Sequence, residues 1–179
     1  VSGCFGQSSD MQTLRFGIPA SAQANDILIN EILFNPSTNN YDFIEVFNTS
    51  DHCVVLNNLR LAQINEVDGL PEKVETLTPD SILLPPGEFW VFAENRSPVI
   101  QAHNLNANAT VFECNLPSMP DDDGSIGICT ASLEWVDKLR YSNKWHHELI
   151  SDEEDVSLER VNLGSETQQS SNWHSATYS

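Results

Sequence analysis

Short stretches in which apolar and polar residues alternate dominate the chain from residue 26 onward. Residues 27–34 (ILINEILF) form a run rich in β-branched residues that stops at Asn35-Pro36. Residues 42–48 (DFIEVFN) alternate polar and apolar positions, which is the period-2 pattern of a half-buried strand. Turn-forming residues separate the two runs at 37–40, so each run is predicted to be a strand.

Further short strands are expected at close intervals, with Gly, Pro and Asn turns between them. The one helical candidate of any length is 98–105, with Asn95 or Ser97 as its cap. Many short strands joined by turns are typical of an antiparallel sandwich or barrel and not of a parallel α/β sheet. The remaining strands are predicted at 53–56, 59–64, 74–77, 89–93, 111–114, 125–129 and 135–141.

The charge composition of the chain argues against two classes of partner, nucleic acids and membranes. The chain has 26 acidic and 8 basic side chains in 179 residues, a formal charge of −18. Nucleic-acid binding requires a stripe of Lys and Arg against the phosphates, and an anionic membrane surface would repel this chain. No apolar run approaches the ~18 residues of a membrane-spanning helix. We therefore expect no nucleic-acid partner and no membrane insertion. Hydrophobic residues make up 40%, so a packed core is expected.

A change in amino-acid composition near residue 25 divides the chain into two parts. Residues 1–24 are rich in Gly, Ser and Gln and carry too few apolar residues for a core, so they are predicted to be a linker with the remnant of a preceding domain. Residues 25–179 are predicted to be one β-sandwich domain. The chain opens with Val1 and not with Met, so it is interpreted as a fragment of a longer protein.

Several motifs, in order, resemble those of the lamin-tail domain family, in particular its bacterial branch. The opening run INEILFNP and the DFIEVFN that follows are similar to the family's INEI(L/M)-x-NP and D-(F/Y)-(I/V)-E-(L/I/V)-x-N. The resemblance covers roughly residues 25–176. It departs from the family at Asp155, where a glycine commonly precedes the SLER motif. Further similar segments are LLPPGEFWV at 83–91, LP…DG at 116–124, DKLRY at 137–141, VSLERV at 156–161 and NWHSA at 172–176.

This resemblance implies an immunoglobulin-like antiparallel β-sandwich. It also implies a module of multidomain proteins that bacteria secrete or display on the cell surface, so an extracellular or cell-surface location is expected. The family has no established catalytic residues, and none is carried over to this chain. The resemblance does not decide the partner, which is expected to be a protein, a glycan or a neighbouring domain of the same chain.

Asp121, Asp122 and Asp123, followed by Gly124, are the sharpest local concentration of charge. Carboxylates in a loop suit Ca²⁺, which takes six to eight hard oxygen ligands in a flexible arrangement. Their spacing differs from the alternating acidic pattern of an EF-hand loop. An Asp-Gly hairpin turn with solvated carboxylates is the alternative interpretation. A Ca²⁺ site at these three residues is the one cofactor prediction.

A loop at 143–147 supplies the candidate interaction residues. Trp145 is predicted to be partly exposed there and to anchor a partner, with His146 and His147 beside it. Adjacent histidines on an extended chain point to opposite faces, and no HExxH spacing occurs, so a metallohydrolase site is not predicted from them.

The chain has four cysteines, and none of them forms a CxxC pair. Cys114 and Cys129 flank a predicted turn and are the candidate disulfide. The alternative is that they are buried free thiols that pack as small hydrophobic residues.

Two strand glutamates, Glu31 and Glu45, lie beside large apolar residues. A carboxylate pair can serve acid–base catalysis, but the interpretation favoured here is structural, with Arg160 as a bidentate partner. The chain also lacks a Gly-rich phosphate loop, a G-x-S-x-G elbow and a Cys/His nucleophile arrangement. No enzyme activity is therefore predicted.

Three functional hypotheses follow. The first is a non-catalytic interaction, adhesion or spacer module of a larger exported bacterial protein. The second is a Ca²⁺-binding structural domain that uses the acidic loops. The third is an accessory domain of a metal-dependent hydrolase.

Overall fold

The structure is a computed structural model that describes residues 17–103 and 109–176. Strands form most of its regular structure, and one helix, α1, spans Arg96–Ala102. The strands are β1 (Pro19–Ala20), β2 (Ile27–Leu33), β3 (Phe43–Asn48), β4 (Cys53–Val55), β5 (Leu59–Ile64), β6 (Pro71–Thr76), β7 (Leu83–Leu84), β8 (Phe89–Ala93), β9 (Thr110–Glu113), β10 (Asp123–Thr130), β11 (Trp135–Ser142), β12 (Leu158–Arg160) and β13 (Trp173–Ser175).

These strands form two large sheets and one small sheet. The six-stranded sheet has the order β13-β12-β2-β3-β8-β9, and the four-stranded sheet has the order β11-β10-β5-β6. A three-stranded sheet has the order β1-β4-β7. Pairing is antiparallel except between β1 and β4 and between β8 and β9. The all-β sandwich predicted from the sequence is confirmed, and two parallel pairs are added to it.

The main core lies between the two large sheets. Alternation along each strand sends every second side chain inward, and full burial of an aliphatic side chain contributes about 1.5–3 kcal/mol. The six-stranded sheet supplies Ile27, Ile29, Ile32, Ile44, Val46, Phe92, Leu158 and Trp173, and the four-stranded sheet supplies Leu59, Leu61, Ile126, Ile128, Val136, Leu139 and Tyr141.

The other side of the six-stranded sheet, which we call the outer face, is covered at one end by α1. The helix begins at Arg96 because the side chain of Asn95 accepts a hydrogen bond from the Ser97 amide at 3.2 Å. Under the helix lies a second apolar cluster of buried side chains, formed by Leu33, Phe43, Val91, Ala93, Val99 and Val111. A helix is thus present near the predicted place, but it begins two residues before the predicted 98–105, and Asn95 is the one of the two candidate caps that is used. Residues 104 and 105 of the predicted helix lie outside the described part of the chain.

A buried ion pair joins the two large sheets. The Arg160 guanidinium in β12 donates to Asp137 Oδ2 in β11 at 3.4 Å and to the Ile29 carbonyl in β2 at 2.8 Å. Asp137 Oδ2 in turn accepts from the Ile29 amide at 2.8 Å. Arg160 also donates to Thr167 Oγ1 at 2.6 Å and to the Ser165 carbonyl at 3.1 Å. These bonds satisfy a charged group whose side chain is fully buried.

Part of the predicted N-terminal linker, around residues 19–22, packs against the sandwich. Pro19 and Ala20 pair with Cys53 and Val54, and Ala22 is buried in the main core. The sandwich therefore includes residues that the sequence assigned to the linker. Residues 1–16, the rest of that predicted linker, lie outside the described part of the chain.

Candidate interaction surface

Three glutamates stand side by side across the outer face. Glu45 in β3 pairs with Glu31 in β2, and Glu31 pairs with Glu159 in β12. His174 in β13 pairs with Glu159 and ends the line. We call Glu45, Glu31 and Glu159 the carboxylate row. Its members alternate with inward-facing core residues, so all three side chains emerge on the same side of the sheet.

Hydrogen bonds hold Glu45 and Glu31 of the carboxylate row in place. Asn30 Nδ2 donates to Glu45 Oε1 at 2.8 Å, and Ser157 Oγ donates to Glu31 Oε1. At the outer end, His174 Nε2 lies 3.8 Å from Glu159 Oε2. All three glutamates are half-buried, and the Glu159 side chain is 42% exposed.

The Glu45 and Glu31 carboxylates hold protons more tightly than a free glutamate side chain does. Burial raises the pKa of Glu45 to about 7, and the charges of Glu31 and Glu159 add to the rise while the bond from Asn30 opposes it. Burial also raises the pKa of Glu31, against the lowering effect of its bond from Ser157. Within the described residues, no Lys or Arg is among the groups that set these two pKa values.

Beside the carboxylate row runs a second line of side chains that are apolar. Leu28 pairs with Phe47, and Phe47 pairs with Phe89, with the two phenyl ring centroids 4.3 Å apart. We call these three the apolar row. Phe89 is 44% exposed, and Val161, two residues beyond Glu159, is 62% exposed. A cavity of about 290 Å³ opens next to Leu28 and is lined in part by Leu163.

Glu31 and Glu45 have hydrogen-bond partners, as predicted, but the predicted partner, Arg160, was wrong. Arg160 does not pair with Glu31 or Glu45, because its side chain points into the main core and pairs with Asp137 there. Strand alternation is the reason, since Glu159 faces outward and Arg160, the next residue, must face inward. Asp137, which completes the buried pair, was not singled out from the sequence.

The three consecutive aspartates are all exposed at the start of β10. Asp123 pairs with Ser142, and Asp122 Oδ1 accepts a hydrogen bond from Asn143 Nδ2 at 3.2 Å. No three His, Cys, Asp or Glu side chains within 17–103 and 109–176 are placed to hold one metal ion. The Ca²⁺ site at Asp121, Asp122 and Asp123 therefore stays a prediction from residue type.

Trp145, His146 and His147 do not form one exposed surface. Trp145 is half-buried and packs against the main core. His146 is 8% exposed, and its Nδ1 lies 3.0 Å from Ser175 Oγ. His147 is exposed, and its amide donates to the same Ser175 Oγ. Burial lowers the pKa of His146, so a neutral imidazole packs here and is not available to a partner.

Cys114 and Cys129 are free thiols in the structure, which corrects the predicted disulfide. The two residues belong to different sheets. The Cys114 amide extends the β8–β9 pairing through the Ala93 carbonyl, whereas Cys129 lies in β10 opposite Arg60. Proximity to a turn in the sequence did not bring them together, because the chain changes sheets between them.

Both thiols are expected to remain reduced in protein purified without reductant. Burial raises the pKa of Cys114 to about 12 and that of Cys129 to about 11, so little reactive thiolate forms near neutral pH. Alkylation after unfolding without reductant, followed by peptide mass analysis, should label both residues fully. A sample reduced beforehand gives the reference level, and a cross-linked peptide pair would contradict the structure.

No helix in the described part of the chain has the length and apolar character needed to cross a bilayer. A family model described as Lamin Tail Domain matches residues 20–143, more than half of the chain. No curated protein matches the sequence. The matched span includes β2, β3 and β8, which carry two members of the carboxylate row and all of the apolar row, and it ends before β12 and β13.

Proposed function

Because the chain belongs to the lamin tail domain family, a family of immunoglobulin-like interaction modules, we propose that it is a non-catalytic interaction module of a larger protein exported from a bacterial cell. The observation that carries the proposal is the division of the outer face. Helix α1 covers one end of the six-stranded sheet, and the remainder carries the half-buried carboxylate row beside Phe47, which is half-buried, and Phe89, which is exposed, while Leu28 is buried. Exposed apolar side chains rimmed by polar residues mark protein-interaction sites.

The buried pair of His146 and Ser175 is the arrangement closest to a catalytic one among the described residues. A serine hydroxyl 3.0 Å from an imidazole nitrogen is the spacing of a nucleophile and its base. Here, however, Ser175 is 7% exposed, and its Oγ already accepts from the His147 amide. No described group binds His146 Nε2 to orient the ring. A substrate carbonyl has no access to such a hydroxyl, which supports a structural role for the pair.

Export is supported by the similarity of the INEILFNP and VSLERV segments to the bacterial members of the family. We expect an antibody against this domain to stain intact cells that produce the parent protein, or to detect it in their medium. An antibody against a cytosolic protein is the control and should stain only permeabilised cells. Staining of this domain only after permeabilisation would contradict export.

The proposal that the domain has no catalytic activity can be tested separately. It would be overturned by a hydrolytic activity that copurifies with the 179-residue chain and disappears in Ser175→Ala.

A further inference from the structure

The fold covers the outer face unevenly. Where the strands carry Leu33, Phe43 and Ala93, α1 packs over them. On the same strands, the next positions along the face carry Glu31, Glu45 and Val91, and the positions after those carry the apolar row. The helix thus covers the purely apolar end of the outer face. It does not cover the part that combines the carboxylate row with the half-buried Phe47 and the exposed Phe89.

The carboxylate row is a like-charge alignment that the described residues do not neutralise with Lys or Arg. Like charges directly opposite each other on neighbouring strands destabilise a sheet. The described Lys and Arg side chains with assigned contacts serve elsewhere: Arg60 on the Asn57 and Leu59 carbonyls, Lys138 over Trp135, Arg140 on Glu66 and Arg160 on Asp137. Within the described residues, the group placed against the row is the His174 imidazole, whose Nε2 lies 3.8 Å from Glu159 Oε2.

We propose that the carboxylate row and the apolar row together bind a protein segment that presents a Lys or Arg side chain between apolar side chains. The cation would lie over Glu45, Glu31 and Glu159, and the apolar flanks would pack on Phe47 and Phe89. This inference rests on the proposed interaction function and names the chemistry of its partner.

Charge complementarity selects this occupant over a second copy of the chain. The chain carries −18 formal charges, so two copies repel each other, and each would bring a carboxylate row to the other. A cationic segment removes the repulsion within the row and gains contact area from the rings of Phe47 and Phe89.

Proton release is a signature of this binding mode. The groups that face one another are Glu45 on β3, Glu31 on β2, Glu159 on β12 and His174 on β13, while β8 contributes the uncharged Val91. A cation favours the ionised form of Glu45, whose pKa is raised to about 7 by burial. Binding should therefore tighten by about tenfold between pH 6 and pH 8 as this one carboxyl ionises.

The test uses the full 179-residue chain, labelled with ¹⁵N, and the peptide acetyl-Phe-Lys-Leu-Lys-Phe-amide as the probe. The same peptide with both lysines replaced by glutamine is the matched control. We expect saturable shifts at Glu31, Glu45, Phe47 and Phe89 with the lysine peptide at pH 8. The glutamine peptide should bind about tenfold more weakly or not at all.

Two variants with equal loss of charge separate the surface from general electrostatic attraction. Glu31→Gln/Glu45→Gln/Glu159→Gln should lose about tenfold in affinity and most of the pH dependence, whereas Asp121→Asn/Asp122→Asn/Asp123→Asn should change affinity less than about twofold. Glu159→Gln alone, at the exposed end of the row, tests the same surface without perturbing buried groups.

Several outcomes would overturn the inference: equal losses in the two triple variants, shifts confined to the loops at 121–123 and 152–155, or no saturable binding at millimolar probe. Shifts of the same residues with increasing protein concentration and no peptide would instead identify a second copy as the occupant. Each of these results leaves export and the absence of catalysis unaffected, because those are measured on cells and by activity.

Discussion

Replacement of Arg160 by Met is expected to lower the free energy of unfolding by about 3–5 kcal/mol. The side chain of Arg160 is fully buried and that of Asp137 is 5% exposed, so removal of the cation leaves an uncompensated carboxylate inside the protein. Loss of the guanidinium also removes its bonds to the Ile29 and Ser165 carbonyls and to Thr167, and its contact with the Trp173 ring at 5.3 Å. Strand β12 would thereby lose the side-chain bonds that join it, through Arg160, to β2 and to the loop at 165–167.

Urea unfolding of the full chain at pH 7, followed by tryptophan fluorescence, measures this effect. Arg140→Met is the matched control, because Arg140 makes an exposed ion pair with Glu66 and should cost less than about 1 kcal/mol. Adding Asp137→Asn to Arg160→Met should recover part of the loss, since the second change removes the unpaired charge. Equal stability losses for Arg160→Met and Arg140→Met would show that the buried network is not what holds the sheets.

Replacement of Glu45 by Gln is expected to stabilise the protein at pH 8 by about 3 kcal/mol and at pH 5 by less than about 1 kcal/mol. The folded-state pKa of Glu45 is raised from 4.5 to about 7, so its contribution to stability is fully present below pH 4.5 and is lost as the pH rises through 7. Gln stays uncharged at every pH and keeps an oxygen that accepts from Asn30 Nδ2. The variant should therefore lack the part of the pH dependence that this carboxyl causes.

The measurement is the difference in unfolding free energy between the variant and the unmodified chain at pH 5, 6, 7 and 8. This difference isolates Glu45 from groups that titrate with the opposite sign, such as His146, whose pKa burial lowers. The exposed Glu148, replaced by Gln, is the matched control and should show a flat difference. A loss of stability in Glu45→Gln at pH 8 would mean that the charged carboxylate is favourable in the fold.

β-Branched content and alternation predicted most of the longer strands, but β6 begins at Pro71, three residues before the predicted 74–77. The runs at 27–34 and 42–48 became β2 and β3 with ends within one residue of the prediction. By contrast, β12 and β13, with three residues each, were visible only as the motifs VSLERV and NWHSA. A three-residue strand contains too few alternations to be identified without its pairing partners.

The departure from the family motif at Asp155 has a structural explanation. Asp155 has φ = 62°, in the left-handed region that favours glycine, and a glycine commonly occupies this position in the family. Asp is among the residues that tolerate this region best. Its side chain accepts from the Ser37 amide at 2.9 Å and from Asn40 Nδ2 at 2.7 Å, and these bonds lower its pKa. The aspartate thus binds the loop after β2, which a glycine could not do.

The sequence by itself determined the all-β class, most strands and a helix near residue 98 with Asn95 as one of two candidate caps, because these depend on residue periodicity and on local turn and capping chemistry. It also determined the excess of 26 acidic over 8 basic side chains. The structure decided that the helix spans Arg96–Ala102 and that Asn95 caps it. Tertiary structure alone decided which charged groups meet. A bulge in β2 between Ile29 and Glu31 sets the register that aligns Glu31 with Glu45, and the pairing of β12 brings in Glu159 from far along the chain. The same pairing turns Arg160 inward to Asp137, so that no Lys or Arg of the described residues is paired with the carboxylate row. Neighbouring residues on a strand face opposite sides, and only the assembled sheet shows what lies on each side.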